Sequence, residues 1–275
     1  MKIKLIVILI VASGLSFPWG EEGHKLIAGK AVDLLKEKIP GIINYKDYIT
    51  EHSVDPDVRR NFDESEFPKH FIDIDFYPEF LDGKMIYDRQ QLTALYGDSV
   101  VTKMGILPWA TLRTYNNLQK AFSEHNRDKV LIYAADLAHY VADAHQPMHT
   151  MLNYDGQFTN QKGVHARYES EMIERYFDAL EESVNGNSVE QIDDPLDFIF
   201  SYIENSNSLG EVLLAADKFA DKRTGSTDND NYYRLFWFRT KYITEIQFES
   251  AVNSLASLIF TAWSEAGEPS LTEIN

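Results

Sequence analysis

The sequence contains no cysteine among its 275 residues. A disulfide framework is therefore excluded, and so are the cysteine-rich zinc sites that stabilise many small domains. Any metal ion that this chain holds must be bound by nitrogen and oxygen atoms. With 44% hydrophobic residues, a chain of this length can build a sizeable apolar core without such staples.

Basic residues are scarce, because 26 Lys and Arg face 43 Asp and Glu and the net charge is −17. Proteins that bind nucleic acid tightly and without sequence preference use Lys and Arg to neutralise phosphates. The composition argues against that kind of surface. It does not exclude a nuclease, since a phosphodiester can be held by metal cations instead.

The sequence also lacks an apolar run that is long enough to span a bilayer. Residues 2–18 are typical of a secretory signal, in which Lys2 and Lys4 precede the apolar run 5–11 and small residues follow. The run is too short to span a membrane. We predict a signal peptide in residues 1–18, cleaved after residue 14 or 18, and a secreted or periplasmic protein without a stable membrane anchor.

Strand patterns and internal repeats are almost absent, and apolar residues recur at helical spacing along most of the chain. The fold class predicted is all-α, with residues 19–275 forming a single, mostly helical domain. Residues 77–105 have an irregular pattern and are expected to form loops. The predicted helices cover about 24–35, 42–50, 108–125, 129–144, 164–184, 195–221 and 229–266.

The pair His139 and Asp143 is the strongest local signal for chemistry. Residues four apart lie one turn above each other on a helix, so an imidazole and a carboxylate can face one point. The helix is mostly apolar and should be buried, where an unpaired carboxylate is costly. Pro147 cannot continue it, which places His149 on the turn just beyond.

A second pair, His165 and Glu169, repeats the same spacing 22 residues after Asp143. Each of these side chains alone is more simply an ordinary polar residue of an amphipathic helix. Together with His149 they make five ligand-type groups in a short window, which favours a metal site. Nitrogen and oxygen ligands indicate a catalytic zinc centre.

Further polar residues are ambiguous when they are judged locally. His24 lies in the first turn of a helix, where a histidine is often a cap or a core residue. Asp55 and Asp57 flank Pro56 and are equally suited to stabilise a helix N-terminus. His145 lies next to the predicted site, where it could contact a substrate.

The sequence resembles the phospholipase C/P1 nuclease superfamily of trinuclear zinc phosphodiesterases over nearly the whole of residues 19–275. The resemblance implies a mostly helical domain with three zinc ions at the base of a cleft. The matching motifs are Trp19-Gly20-x-x-Gly23-His24, Asp57-x-x-Arg60, His70-Phe71-Ile72-Asp73, His139-x3-Asp143-x2-Gln146-Pro147-x-His149 and His165-x3-Glu169.

The resemblance also implies a ligand set. One zinc ion would be bound by Asp57, His70, His139 and Asp143, and a second by His149, His165 and Glu169. The third would use His24, a bridging Asp143, and the amino and carbonyl groups of Trp19 if cleavage frees them. Asp55 lies two residues from Asp57 and could take its place, although we favour Asp57.

The predicted function is zinc-dependent hydrolysis of a phosphodiester, with Asp57 orienting the nucleophile and Arg60 acting as a clamp beside it. The N-terminal motif looks like that of S1/P1-type endonucleases acting on single-stranded DNA or RNA, which we favour. Glu169 and the close spacing of His149 and His165 look more like bacterial phospholipases C, which are the alternative.

Three aromatic residues are candidates for substrate binding, namely Phe71, Tyr154 and Phe158. They could stack a base or enclose a choline head group, so they do not separate the two substrates. A minor alternative is an exported zinc-binding protein without catalytic activity. We expect a monomer.

Overall fold

Residues 19–271, which the computed structural model describes, fold into helices joined by loops, with no β-strand among them. The all-α prediction is confirmed. The predicted signal peptide and its cleavage sites lie outside the described residues. The α-helices are α1 (Gly20–Leu35), α2 (Lys46–His52), α3 (Asp55–Arg59), α4 (Pro78–Leu81), α5 (Arg89–Tyr96), α6 (Asp98–Lys103), α7 (Leu107–Ser123), α8 (Arg127–Ala144), α9 (Val164–Ala166), α10 (Ile173–Ser183), α11 (Pro195–Thr224) and α12 (Asp230–Glu265).

Short helical turns complete the described part of the chain. A π-helical segment (Arg167–Met172) joins α9 to α10, so that residues 164–183 form one helical stretch with a kink at Tyr176, close to the predicted 164–184. Segments of π-helix are rare and are frequently found at functional sites. The 3₁₀ turns are Ile42–Tyr45, Phe67–Lys69, Ile74–Phe76 and Pro147–His149.

The main core lies where α1, α7, α8 and α12 meet. Ile27, Leu118, Leu137 and Leu255 come from these four helices and are fully buried. Burial of one such side chain stabilises the fold by about 1.5–3 kcal/mol. The four helices therefore form a rigid base for any polar group carried on their inner faces.

Helix α8 lies in the middle of this core and has clear ends. The Asn126 side chain accepts a hydrogen bond from the Lys129 backbone N–H at 3.0 Å, which caps the first turn. The helix ends at Ala144, three residues before Pro147. Both ends agree with the sequence prediction within two residues.

The two long C-terminal helices are also capped at their starts. The Asp194 side chain accepts hydrogen bonds at the start of α11, and that of Asn229 does so at the start of α12. Gly225, with φ 71°, ends α11 in the left-handed conformation that glycine adopts readily. Among the described residues, neither of these helices nor any other is long and apolar enough to cross a bilayer.

The prediction that residues 77–105 form loops is wrong. This region contains α4, α5 and α6. The Asp88 side chain caps α5 by accepting from Gln91 N–H at 2.8 Å. Tyr77, Leu92 and Val101 form a small apolar cluster of their own. Helices this short show too few turns for a periodic pattern to emerge.

Candidate metal centre

Five ligand-type side chains from separate parts of the chain meet beside the inner face of α8. His24 comes from the first turns of α1, Asp57 from α3, and His70 from the end of the turn Phe67–Lys69. His139 and Asp143 come from α8 itself. All five are buried, with 0–2% of their surface exposed.

The first group of ligand atoms has the spacing of a coordination shell. Ligands about 2.05 Å from a tetrahedral zinc ion lie about 3.3 Å from one another. His70 Nδ1 lies 2.9 Å from His139 Nε2, 3.1 Å from Asp143 Oδ2 and 3.5 Å from Asp57 Oδ1. His139 Nε2 lies 3.2 Å from Asp143 Oδ2 and 3.9 Å from Asp57 Oδ1. His70, His139 and Asp143 could thus share one metal ion, and His24, Asp57 and His139 form an overlapping set with similar spacing.

Asp143 directs its two carboxylate oxygens to different neighbours. Oδ2 faces His70 and His139, whereas Oδ1 lies 3.5 Å from Nε2 of His24. The His24 ring stacks on the His139 ring, with centroids 4.2 Å apart. Asp143 therefore has the geometry of a bridging ligand between two adjacent metal positions.

The second group consists of His149, His165 and Glu169. His149 lies at the end of the turn Pro147–His149, His165 is in α9, and Glu169 is in the π-helical segment. Oε2 of Glu169 lies 3.3 Å from His149 Nε2 and 2.8 Å from His165 Nε2. These distances again suit three ligands of one ion.

Backbone carbonyls orient two of the histidines. The Nδ1 of His139 lies 2.8 Å from the carbonyl oxygen of Ser53, and that of His149 lies 2.7 Å from the carbonyl oxygen of His70. A carbonyl oxygen only accepts, so Nδ1 must carry the proton in both rings. This leaves the Nε2 lone pair of each ring directed at a ligand group, as in many zinc sites.

The electrostatics of the first group require compensating positive charge. Burial raises the pKa of Asp57 to about 7 and that of Asp143 to about 8, and it lowers the pKa of His70 well below its usual value. Three carboxylate oxygens accept no hydrogen bond within the described residues, namely both oxygens of Asp57 and Oδ1 of Asp143. Buried carboxylates in this condition are costly, so the donor set fits zinc, which would stabilise the fold on binding.

Glu169 has a different environment. Burial alone would raise its pKa, but His165 and His149 outweigh this effect and the pKa of Glu169 is lowered. The amide of Gln146 donates to Glu169 Oε2 at 3.0 Å. Gln146 is part of a matching sequence motif, but only the fold brings its side chain to Glu169.

Trp19 is anchored at the start of α1 by its side chain. Its indole Nε1 donates to the carbonyl oxygen of Ala142 at 2.7 Å, and its ring contacts Phe248 edge to face at 4.5 Å. The hydrogen bond to Ala142 holds Trp19 against the turn of α8 that carries Asp143. The use of its amino and carbonyl groups as ligands remains a prediction, since it depends on cleavage among residues 1–18.

Asp55 and Asp57, of which we favour Asp57 as the ligand from the sequence, lie in different environments. Oδ2 of Asp55 is 2.8 Å from His52 Nδ1, and 45% of the Asp55 side chain is exposed. Asp57 is 1% exposed and faces the first group. Arg60 lies beside Asp57, with a guanidinium nitrogen 3.3 Å from Oδ1.

The expectation that His145 contacts substrate is wrong. His145 is 1% exposed and its ring stacks on Tyr202 at 4.4 Å. Its Nδ1 donates to the carbonyl oxygen of Val141 at 2.7 Å, and its Nε2 lies 3.3 Å from Ser254 Oγ. The last turn of α8 directs this side chain into the core, on the opposite side from Asp143.

The predicted aromatic residues differ in their distance from the ligands. The Tyr154 ring lies 5.9 Å from that of His165, and Tyr154 is 47% exposed. Phe71 follows His70 directly and packs against Phe67 at 5.4 Å. Phe158 is 68% exposed on the same loop as Tyr154. Of these three aromatic residues, Tyr154 is the one that contacts a ligand-type side chain directly, that of His165.

Comparison with models of protein families shows which family this chain belongs to. A family model described as zinc dependent phospholipase C matches residues 23–264. This chain belongs to that family. The zinc phospholipases C thus share with it the whole region in which both groups of ligand-type residues lie. A search of curated proteins gave no match.

The fold is similar to that of a solved structure, the alpha toxin from Clostridium absonum. The TM-score is 0.53 at 13% sequence identity, and the match covers 90% of this chain and 65% of that chain. At this identity the likeness concerns the fold alone. The match covers about two thirds of the length of the toxin, so it does not show that this chain has the activity of the whole toxin.

Family membership identifies zinc as the cofactor. The resemblance stated from the motifs is confirmed in its broad form. Our preference for an endonuclease is not supported, because the family that matches is that of the phospholipases C. The alternative given with it agrees better with these findings.

Proposed function

We propose that this protein is a phospholipase C that hydrolyses the phosphodiester of a phospholipid and releases the phosphorylated head group. The observation that carries the proposal is the set of neighbouring His and carboxylate clusters, in which Asp143 Oδ1 also lies 3.5 Å from Nδ1 of His149, in a chain of the zinc dependent phospholipase C family. The acidic net charge of −17 suits this substrate better than a nucleic acid.

The ligand assignment is part of the proposal. Asp57, His70, His139 and Asp143 would hold one zinc ion, and His149, His165 and Glu169 a second. His24, Asp143 and the backbone of Trp19 would hold the third. Zinc ions held in this way supply Lewis-acid polarisation of the phosphodiester and lower the pKa of water.

Residues of the chain itself would position the reactants. Asp57 is the carboxylate best placed to orient the attacking water, because neither of its oxygens accepts a hydrogen bond within the described residues. Burial raises the pKa of Asp57 to about 7, and His139 and then Arg60, whose guanidinium lies 3.3 Å from Asp57 Oδ1, oppose that rise. Arg60 would thus favour the ionised form of Asp57.

The head group would bind beside the second ligand group. Tyr154 contacts His165 edge to face and remains half exposed, so its ring can face both the site and a bound cation. Phe71 and Phe158 would complete an aromatic enclosure. From the sequence we also propose a signal peptide in residues 1–18, export from the cytoplasm, one domain over residues 19–275 and a monomeric protein.

The test compares two substrates with zinc-loaded protein, namely a short-chain phosphatidylcholine and single-stranded DNA. We expect release of phosphocholine, its loss on chelation, and a loss of at least about 100-fold in His165→Ala. His125→Asn is the control, because His125 is an exposed histidine between α7 and α8 and Asn tolerates its positive φ of 54°. Cleavage of DNA without lipid hydrolysis, or zinc binding without turnover of either substrate, would contradict the proposal.

A further inference from the structure

The outer side of the first half of α12 has an unusual composition. Phe238, Tyr242 and Ile246 follow one another at four-residue spacing and therefore lie along one side of the helix. They are 78%, 79% and 53% exposed. We call this side, between positions 232 and 246, the α12 outer face. Its exposed residues are Arg234, Phe238, Arg239, Lys241, Tyr242 and Ile246.

The opposite side of α12 is buried, and its packing against the rest of the fold stabilises the helix. Thr240, Thr244 and Phe248 are fully buried against the rest of the fold. Thr244 contacts the Tyr168 hydroxyl at 3.1 Å. The large apolar side chains of the outer face are therefore not needed to pack α12. A row of exposed aromatic and aliphatic side chains of this kind marks an interaction surface.

The charge of the outer face is opposite to that of the whole protein. The exposed charged residues of this face are three cations, in a chain whose net charge is −17. On α12 itself, the partly buried Glu245 pairs with Lys241 at 3.5 Å, and the exposed Asp230, one turn before Arg234, pairs with Arg175 of α10 at 2.8 Å. This face would therefore attract an anionic partner that the remaining surface repels.

The cationic character extends to the neighbouring helix. The Arg239 guanidinium lies over the ring of Phe219 of α11 at 4.1 Å, and that of Arg223 lies over the same ring at 5.4 Å. These contacts hold two cations beside the apolar row instead of letting them extend freely into water. The surface thus combines fixed positive charge with exposed aromatic rings.

We propose that the α12 outer face docks this protein onto a bilayer that contains anionic phospholipid. Aromatic side chains favour the head-group region of a membrane, and each Lys or Arg close to an anionic surface adds to the attraction. The combination on one helix face is typical of helices that lie on a membrane. The proposal concerns where the protein contacts the membrane and holds whether or not the zinc centre hydrolyses lipid.

The test measures binding of zinc-loaded protein to vesicles of phosphatidylcholine with about one third phosphatidylglycerol, and to vesicles of phosphatidylcholine alone. One variant combines Phe238→Ser with Tyr242→Ser. A second combines Arg234→Gln, Arg239→Gln and Lys241→Gln. The matched controls are Leu81→Ser, which removes an apolar side chain that is 69% exposed, and the combination of Lys36→Gln, Lys84→Gln and Lys103→Gln, which changes the net charge equally.

We expect binding to the anionic vesicles that falls at least about 10-fold in the aromatic variant and about 100-fold in the cationic variant, at about 5-fold per cation. The controls should stay within about 2-fold. Circular dichroism and the zinc content of each variant would show that the fold and the zinc centre are intact.

Three results would overturn the proposal. The native protein could fail to bind anionic vesicles, or the lysine controls could weaken binding as much as the cationic variant. Light scattering could also show that the native protein forms a dimer that the aromatic variant abolishes, with vesicle binding unchanged. The outer face would then be an interface between two copies of the chain.

Discussion

Gln146 links the two chain segments that carry the second ligand group. Its Nε2 donates to Oε2 of Glu169 at 3.0 Å, and its Oε1 accepts from the backbone N–H of Met148 at 2.6 Å. Met148 precedes His149, so one buried amide fixes the turn before His149 and the carboxylate of Glu169 together. Partners of this kind orient metal ligands and affect affinity for the metal.

Replacement of Gln146 by Leu should therefore weaken zinc binding at this group by about 10- to 100-fold. The affinity would be measured by competition with a chelator of known strength. Gln119→Leu is the control, since Gln119 also donates to a carboxylate, that of Glu265 at 2.9 Å, but on the exposed surface. Equal zinc affinity in native protein and Gln146→Leu would contradict this role.

The two carboxylate oxygens of Asp143 face different histidines, which leads to a prediction about zinc content. Because Oδ1 faces His24 and Oδ2 faces His70 and His139, Asp143→Ala should lose about two zinc ions per chain. His165→Ala should lose about one. Elemental analysis after dialysis against a weak chelator would give the counts. A loss of one ion in both variants would mean that Asp143 does not bridge.

Asp57 and Asp55 should differ sharply when each is replaced by Asn. Asp57→Asn removes a buried carboxylate beside His70 and His139, so we expect loss of zinc and at least about a 100-fold loss of hydrolysis. Asp55 pairs with His52 near the surface. Asp55→Asn should keep both properties, and the reverse order of effects would transfer the ligand role to Asp55.

Asp73 should make stability depend on pH. Burial, with a contribution from Asp75, raises the pKa of Asp73 to about 8. The folded state then retains a proton that the unfolded state loses above about pH 4, so stability falls as the pH rises from about 4 to about 8. The full effect is on the order of 6 kcal/mol.

Asp73→Asn should remove this dependence. The variant should gain melting temperature relative to the native protein at pH 8 and gain little at pH 4.5. Thermal unfolding of zinc-loaded protein at the two pH values would measure the difference. Asp82→Asn, at an exposed position, controls for the change of net charge. A gain that does not grow with pH would show that Asp73 is ionised in the folded protein.

Much of the fold can be predicted from the sequence, because its longest helices repeat their apolar pattern over many turns. The bounds predicted for α7, α8, α11 and α12 differ from those observed by at most three residues. The short helices α4, α5 and α6 were missed. Their stability depends on caps such as Asp88 and on a local cluster around Leu92, which single-sequence periodicity does not reveal.

The site could be predicted as far as spacing on one helix determines it. His139 and Asp143, and His165 and Glu169, are each one turn apart and lie together in the structure. Spacing could not show that Asp57 is buried while Asp55 is exposed, nor that His145 points into the core. Those facts depend on packing between α3, α8 and α12. The role of Gln146 likewise depends on a contact across 23 residues.

The central claim is that zinc bound at these ligand groups makes the chain a phospholipase C. The most direct test titrates zinc into chelator-treated protein while phosphocholine release from a short-chain phosphatidylcholine is measured. The account predicts negligible release without zinc and a rise that levels off only after about three equivalents. Full activity in the zinc-free protein, or no phosphocholine release at any zinc concentration, would contradict it.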